Sequence, residues 1–249
     1  MFEQEIATFL RRHHYKCVTP AAALIDMDGT LYDSMPLHAE AWHRMATGLG
    51  IECTRDEFFL YEGRTGASTI NILFNRAFGR DATPEEIKKY YHLKTVYFNE
   101  YPKPGKMPGA AELMNLLRDA TIKRVLVTGS GQTSLIERLE ADYPGIFTPD
   151  MMITGHSVTH GKPHPEPFIK AMQLARVSPS ASIVIENAPL GVESGDRAGA
   201  FTVAVTTGPI PREEFVKAGA AVIFPSMPEA AAAMPQLLLE LATTTLQPA

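Results

Sequence analysis

Apolar residues along the chain fall into short runs separated by longer stretches of helical period. The run from Ala21 to Met27 (AAALIDM) reads as a buried strand that stops at Asp28-Gly29. Runs at 124–128, 151–153, 182–186 and 201–205 repeat the pattern, with a weaker sixth at 221–224. Helical periodicity fills the intervals at 109–119, 131–142, 165–176, 188–198 and 229–242. Strand and helix alternating in this way predict an α/β fold: a Rossmann-like, doubly wound parallel sheet covered on both faces.

Two segments stand apart from that rhythm. The first 18 residues carry a short helical pattern on Ile6, Phe9 and Leu10, followed by Arg11, Arg12, His13 and His14. The paired histidines read as a solvated face and are assigned no chemistry. Between about 36 and 103 there is no strand candidate, only amphipathic helix patterns at 36–49, 54–60, 66–78 and 84–99. Met35-Pro36 and Tyr101-Pro-Lys-Pro-Gly bracket this stretch. The expected organisation is a core of residues 1–35 plus 104–249 with a helical cap of residues 36–103 inserted at two proline-rich joints.

Composition narrows the class. Lys and Arg number 23 against 28 acids, a net charge of −5, which excludes a nucleic-acid or anionic-membrane binder driven by bulk charge. Apolar residues at 45% suffice for a full core, and 18 Gly with 19 Pro stay below the roughly 25–30% of low-complexity chains. Cys17 and Cys53 suit neither a disulfide framework nor a zinc site. Acids at the N-terminus speak against a signal peptide, and no apolar run approaches the ~18–20 residues of a membrane span. The expectation is a cytoplasmic protein, with a monomer favoured.

Ligands of open parallel sheets collect beyond the carboxyl ends of the strands. There the first run delivers Asp26 and Asp28 (DMDGT), and the second delivers Thr128-Gly129-Ser130-Gly131, hydroxyls and N–H groups opening a helix. The loop after the third brings Lys162 (GKPHPEPF), and the fourth brings Glu186-Asn187. Taken singly, each has a plain structural reading. Asp-Gly is turn chemistry, Thr128 and Ser130 are helix caps, Lys162 is a solvated charge, and Glu186-Asn187 caps the next helix. Their joint occurrence, in order and each at a strand end, favours chemistry. Carboxylates and an amide offer the oxygen ligands that Mg²⁺ prefers. The lysine and N–H groups offer anion stabilisation. Together these meet the needs of phosphoryl transfer through an aspartyl-phosphate.

DMDGT, VTGS, GKPHPEPF and VIENAPLGVESG resemble, in that order, the four motifs of the haloacid dehalogenase-type phosphotransferases. The insert after the first motif resembles their helical cap, in the layout of the β-phosphoglucomutase-like branch. The resemblance runs from about Ala21 to Phe224. It implies Asp26 as the nucleophile that is phosphorylated, and Asp28 as the acid for the leaving group and then the base for water. Thr128 and Lys162 become partners of the transferring phosphate, with Gly129 N–H and Ser130 beside them. Mg²⁺ is implied at Asp26, the Asp28 carbonyl and Asn187, with Glu186 behind them. Asn187 stands where the family usually places an aspartate, which removes one negative charge.

A cap over the crevice selects the leaving group. His38, Glu62, Arg64 and Lys94 are its candidate substrate contacts, whereas Trp42 reads as packing. His38 divides between a hinge hydrogen bond and a substrate contact, and Lys94 between a substrate contact and a surface charge. In the mutase branch, the resemblance implies, the loop YEGRTGAS carries a lysine before its first glycine and an arginine three residues after it. Glu62 and Gly66 stand there instead, so that phosphate clamp is dismantled and Arg64 replaces it only in part. Glu62 either pairs with Arg64 or Lys94, or reaches the Mg²⁺ and restores the charge lost at Asn187. The second case leaves space only for a small leaving group. DMDGTLYDSMPLHAEAWH, EGRTGASTINI and VIENAPLGVE are also similar to inorganic pyrophosphatases of this superfamily. The expected activity is Mg²⁺-dependent hydrolysis of pyrophosphate, the alternative a β-phosphoglucomutase or small sugar-phosphate phosphatase. The expected partner is a small phosphorylated substrate, with neither nucleic acid nor membrane.

Overall fold

The computed structural model describes residues 1–131 and 136–246. Its six strands are β1 (Ala22–Ile25), β2 (Lys123–Val127), β3 (Met152–Ile153), β4 (Ser182–Glu186), β5 (Phe201–Val205) and β6 (Val222–Phe224). They form one parallel sheet in the order β3-β2-β1-β4-β5-β6. β1 lies between β2 and β4, its Ala22 level with Lys123 on one side and Ser182 on the other. The winding reverses there, and a doubly wound sheet holds its ligand in the crevice outside that point.

Successive side chains of β1 point to opposite faces, and both faces are covered. Ala23 and Ile25 join a core with Leu10, Leu113 and Leu237, while Ala22 and Leu24 pack with Phe168 and Met172. Burial on both sides is why the strand shows no polar alternation. Helices α1 (Glu3–His13), α6 (Ala110–Asp119) and α11 (Met227–Thr243) supply the first core. Helix α8 (Glu166–Ala175) supplies the second. Among the described residues the sheet domain also contains α7 (Leu139–Asp142), α9 (Pro189–Arg197) and α10 (Arg212–Lys217). Of the helix expected at 131–142, positions 132–135 lie outside the described residues. Helix α10 has no counterpart in the sequence reading: at six residues with one buried side chain, Phe215, it is too short to show a period.

The N-terminal segment corrects one expectation. His14 is exposed, but His13 is not part of a solvated face: its Nε2 lies 2.9 Å from Asp196 Oδ1 and its ring lies 4.4 Å from that of Phe9. The partner sits 183 residues along the chain, beyond the reach of any local pattern. Phe9 packs edge-on against Phe201 of β5 at 5.0 Å, and Glu240 of α11 accepts hydrogen bonds from Phe2 N–H (2.6 Å) and the Met1 ammonium (3.0 Å). The helix therefore completes the first core.

Between β1 and β2 the chain inserts α2 (Met35–Gly48), α3 (Glu57–Leu60), α4 (Gly66–Phe78) and α5 (Pro84–Asn99). Thr83 and Glu86 form a reciprocal capping box that starts α5, and Thr65 Oγ1 accepts from Ser68 N–H to start α4. Ile70 and Phe74 pack with Trp42, Tyr90 and Tyr91 inside the insert. A second cluster is shared with the sheet domain: Met35, Phe58 and Phe59 meet Val192, Ile210 and Phe215. Among the described residues no helix is long and apolar enough to cross a membrane.

Candidate active site

β1 runs out at Asp26, whose N–H still bonds to Ile185 O of β4 (3.0 Å), so the carboxylate is fixed at the head of the sheet. Asp28 follows after one residue, and Gly29 turns the chain back with φ +79°. A Cβ at position 29 would overlap the Asn187 side chain and stand 2.9 Å from Glu62 Oε1. Glycine is required there on both counts, its positive φ and the close approach.

Lys162 is 2% exposed and donates to Asp26 Oδ1 (2.6 Å), Glu186 Oε1 (2.6 Å) and Val127 O (3.0 Å). Burial disfavours its ammonium, but Asp26 and Glu186 outweigh that and hold it protonated. Glu186 spends its second oxygen on the N–H groups of Asn187 (2.9 Å) and Ala188 (3.0 Å). With both oxygens occupied, it anchors Lys162 and the start of α9 from behind the site. The Lys162 loop is itself pinned by Glu166, which accepts from Thr159 N–H and His160 N–H at 2.9 Å each.

Asp26 is the poorly satisfied member. Its Oδ2 is buried and has no hydrogen-bond partner among the described residues. Burial first, then the charge of Glu186, push its pKa up, with Lys162 opposing. Glu62, from the loop between α3 and α4, is 8% exposed and comes down over this point. Its Oε1 accepts from Asn187 Nδ2 at 2.6 Å, and Thr30 Oγ1 donates to Asn187 Oδ1 at 3.1 Å. Burial, then Asp26, drive the Glu62 pKa well above the ordinary carboxylate range. Of the two partners considered for Glu62, Arg64 instead donates to Ser68 Oγ (3.2 Å), and Lys94 lies on another chain of contacts. Asp26, Asp28, Glu62 and Glu186 thus share a buried crevice with two lysines, Lys162 between Asp26 and Glu186 and Lys94 behind His38 on the Asp28 side. That surplus of oxygen donors, one of them unpartnered, suits a hard divalent cation held by Asp26, the Asp28 carbonyl, Asn187 and Glu62.

Asp28 heads a hydrogen-bonded row. Its Oδ1 accepts from Ser34 Oγ (2.7 Å) and meets His38 Nε2 (2.9 Å), and His38 Nδ1 meets Lys94 Nζ (2.6 Å). Burial, then the Lys94 charge, lower the His38 pKa, so the neutral ring donates from Nε2 and accepts at Nδ1. Burial brings Lys94 down to about 7. Burial also opposes ionisation of Asp28, but His38 and Ser34 prevail and keep it a carboxylate. Lys94 is no surface charge: it is 2% exposed, with its ammonium 5.3 Å from the Trp42 ring and 5.1 Å from that of Phe98. His38 stacks on Phe98 at 4.3 Å.

Thr128 is buried at the end of β2 and its Oγ1 accepts from Ser130 N–H (3.0 Å), shaping the loop that carries Gly129. A Cβ on Gly129 would overlap Gly63 O, so the loop of the insert rests directly on the loop after β2. Together these groups wall a cavity of about 60 Å³, with Asp26, Asp28, Thr128, Glu62 and Lys94 in its lining. Gly129, Ser130, His38, Trp42 and Arg64 also line it; Lys162 and Asn187 act from beneath.

Three functional groups escaped sequence reasoning. Ser34 precedes α2 as a helix cap would, yet its hydroxyl goes to Asp28 and caps nothing. Thr30 orients Asn187, and Tyr91 lines the cavity from α5. Only Ser34 carried a usable signal, a hydroxyl six residues from Asp28 with an alternative to capping.

The chain matches the family model described as haloacid dehalogenase-like hydrolase over residues 23–205. It is 31% identical over 179 residues to a phosphorylated carbohydrates phosphatase of Thermotoga maritima, spanning 72% of this chain and 81% of that one. With a β-phosphoglucomutase of Bacillus subtilis the identity is 27% over 195 residues, 75% of this chain and 84% of that one. A solved structure from Bacteroides vulgatus, called a "putative beta-phosphoglucomutase", superposes with a TM-score of 0.93 at 44% identity, over 96% of this chain and 98% of that one.

Proposed function

Because the chain belongs to the haloacid dehalogenase-like hydrolase family, we propose that it is a Mg²⁺-dependent phosphohydrolase whose preferred substrate is inorganic pyrophosphate. The observation that carries the substrate is the roof of the site. Glu62, tied to Asn187 at 2.6 Å, closes over a cavity of about 60 Å³, far below the roughly 300–1,000 Å³ of pockets that take drug-sized ligands. A phosphate group is the leaving group that such a space suits.

In this reading an Asp26 carboxylate oxygen attacks one phosphorus, and the bond to the bridging oxygen breaks. Phosphate leaves, and Asp26 carries an acyl phosphate. Asp28 then takes a proton from water, the hydroxide attacks that phosphorus, and a second phosphate and the Asp26 carboxylate are released. Lys162 holds Asp26 in place and offsets charge on the transferring group, and Thr128 positions it. Bound Mg²⁺, held by Asp26, the Asp28 carbonyl, Asn187 and Glu62, would supply neutralisation of the substrate's negative charge. Ser34 and His38 keep Asp28 ionised, the form wanted for deprotonating water. Phosphate needs less help from an acid than an alkoxide does, which also supports pyrophosphate as substrate.

A β-phosphoglucomutase or sugar-phosphate phosphatase is the second reading, favoured by the activities named for the relatives. A steady-state comparison of pyrophosphate with hexose and short-chain phosphates at saturating Mg²⁺ decides. We expect the highest kcat/KM for pyrophosphate; preference for a glucose phosphate would install the second reading.

The carboxylates also give a test that needs no turnover. Asp26 and Glu62 have folded-state pKa values above their ordinary ones. Above about pH 4 the folded protein therefore retains protons that the unfolded chain releases, and stability falls as pH rises through the folded values. A divalent cation that replaces those protons reverses the loss. The rise in thermal midpoint on adding Mg²⁺, against an EDTA control, should be larger at pH 8 than at pH 6. Equal or absent increments at both would contradict the assignment of these ligands.

A further inference from the structure

The loop that presents Lys162 carries a second cluster of ligating side chains. His160, His164 and Glu166 each offer a ring nitrogen or a carboxylate oxygen, and these atoms lie within 4.8 Å of one another. His164 N–H donates to Gly161 O (3.0 Å), a turn that brings the two imidazoles together with ring centroids 4.8 Å apart. Glu166 Oε2 lies 3.1 Å from His160 Nδ1. Lys162 sends its ammonium inward to Asp26 and Glu186, whereas His160 and His164 are exposed and border a groove of about 770 Å³ between this loop and α4. Neither histidine lines the reaction cavity.

The backbone beneath the cluster is already fixed. Buried Ser194 of α9 donates to His164 O (2.7 Å), and Glu166 holds the N–H groups of Thr159 and His160 at 2.9 Å each. Glu166 N–H in turn donates to His164 Nδ1 (3.2 Å), and Lys170 keeps the carboxylate in place from α8 (2.7 Å). A surface ion pair accounts for His160 and Glu166 alone. The second imidazole, on a backbone fixed beside them, is what completes a ligand set.

We propose that His160, His164 and Glu166 form a second metal site, for a borderline divalent ion of the Zn²⁺ kind, distinct from the oxygen-rich Mg²⁺ site. Two imidazoles and a carboxylate are donors such ions take readily, whereas Mg²⁺ prefers oxygen alone. Bonds of about 2.0–2.2 Å require the donor atoms to draw together by roughly 1 Å, which two exposed imidazoles do by rotating. The ion takes the place of the proton shared by His160 Nδ1 and Glu166 Oε2, which passes to solvent. His164 turns a nitrogen towards it, and water from the groove completes the shell. An ion spanning positions 160, 164 and 166 braces the segment that holds Lys162 against Asp26, so its binding stabilises the fold.

The test titrates the full chain with Zn²⁺ by calorimetry, with Mg²⁺ saturating. Wild type should take up one Zn²⁺ and show a raised thermal midpoint. His160→Ala and His164→Ala should each weaken binding by ~10-fold or more, at least the scale seen when a ligand's supporting partner is lost, and the double variant should abolish it. Glu166→Gln keeps an oxygen for the backbone N–H groups and should also weaken binding, which covers the case of an alanine variant that does not fold. His92→Ala, on α5, should bind like wild type. Cu²⁺ bound to the Mg²⁺-saturated protein gives an independent readout: its electron paramagnetic resonance spectrum should carry nitrogen hyperfine lines, which the oxygen ligands of the Mg²⁺ site cannot produce. Those lines should vanish in the double variant. Absence of Zn²⁺ uptake by wild type, or unchanged isotherms and nitrogen lines in the histidine variants, overturns the proposal.

Discussion

Asp26→Asn is expected to abolish turnover, by at least ~10⁴-fold, while leaving the protein folded. The amide is not a nucleophile, so no acyl phosphate can form. Its carbonyl oxygen can still accept the hydrogen bond that Asp26 Oδ1 takes from Lys162, and Glu186 remains as the counter-charge of that ammonium. The substitution also removes a charge that burial and Glu186 oppose. The unfolding midpoint should therefore be unchanged or raised, so that lost activity cannot be ascribed to lost structure. Rapid-quench single-turnover kinetics read the result directly: a wild-type-like rate in the asparagine variant would sink the covalent mechanism.

Glu62 carries the second large effect. Glu62→Ala should lower kcat/KM for pyrophosphate by about 10²-fold, the scale seen when support of a metal site is removed, and raise the Mg²⁺ needed for half-activity. Activity toward bulkier monoesters should fall less, because the roof is opened. Glu62→Gln separates the two roles, since its amide oxygen can still accept from Asn187 Nδ2 while the charge is gone. We expect the glutamine variant to retain the wild-type order of substrates but to share the raised Mg²⁺ requirement. A small, equal loss for all substrates in both variants would mean that Glu62 acts only as the hydrogen-bond partner of Asn187 and supports neither the metal nor the choice of substrate.

The parts of this site that could be read in the sequence are those that a strand end supplies. Asp26, Thr128 and Asn187 each follow a short apolar run and Lys162 lies in the loop beyond a third, and the parallel sheet that unites them, though not its strand order, follows from the alternation of strands with helices. Glu62 was legible as an acid out of place, but its partner was not, since Asn187 lies 125 residues away. His13 was misjudged for the same reason, and for Lys94 a surface charge stayed open beside a substrate contact. A charged side chain looks solvated until the element packed on it is known, and for Lys94 that is the row of Trp42, His38 and Phe98. Tyr91 gave no signal, because aromatic residues at helical spacing mark a packed face wherever they occur.

The apolar seam of Met35, Phe58 and Phe59 against Val192, Ile210 and Phe215 has a calorimetric consequence. Parting the inserted helices from the sheet wets these surfaces, and apolar hydration carries a large positive heat capacity. A ligand that draws the two together would then bind with a more negative heat-capacity change than its own few atoms can account for. The grip of the seam also slackens on cooling, so the contact between the inserted helices and the sheet weakens in the cold.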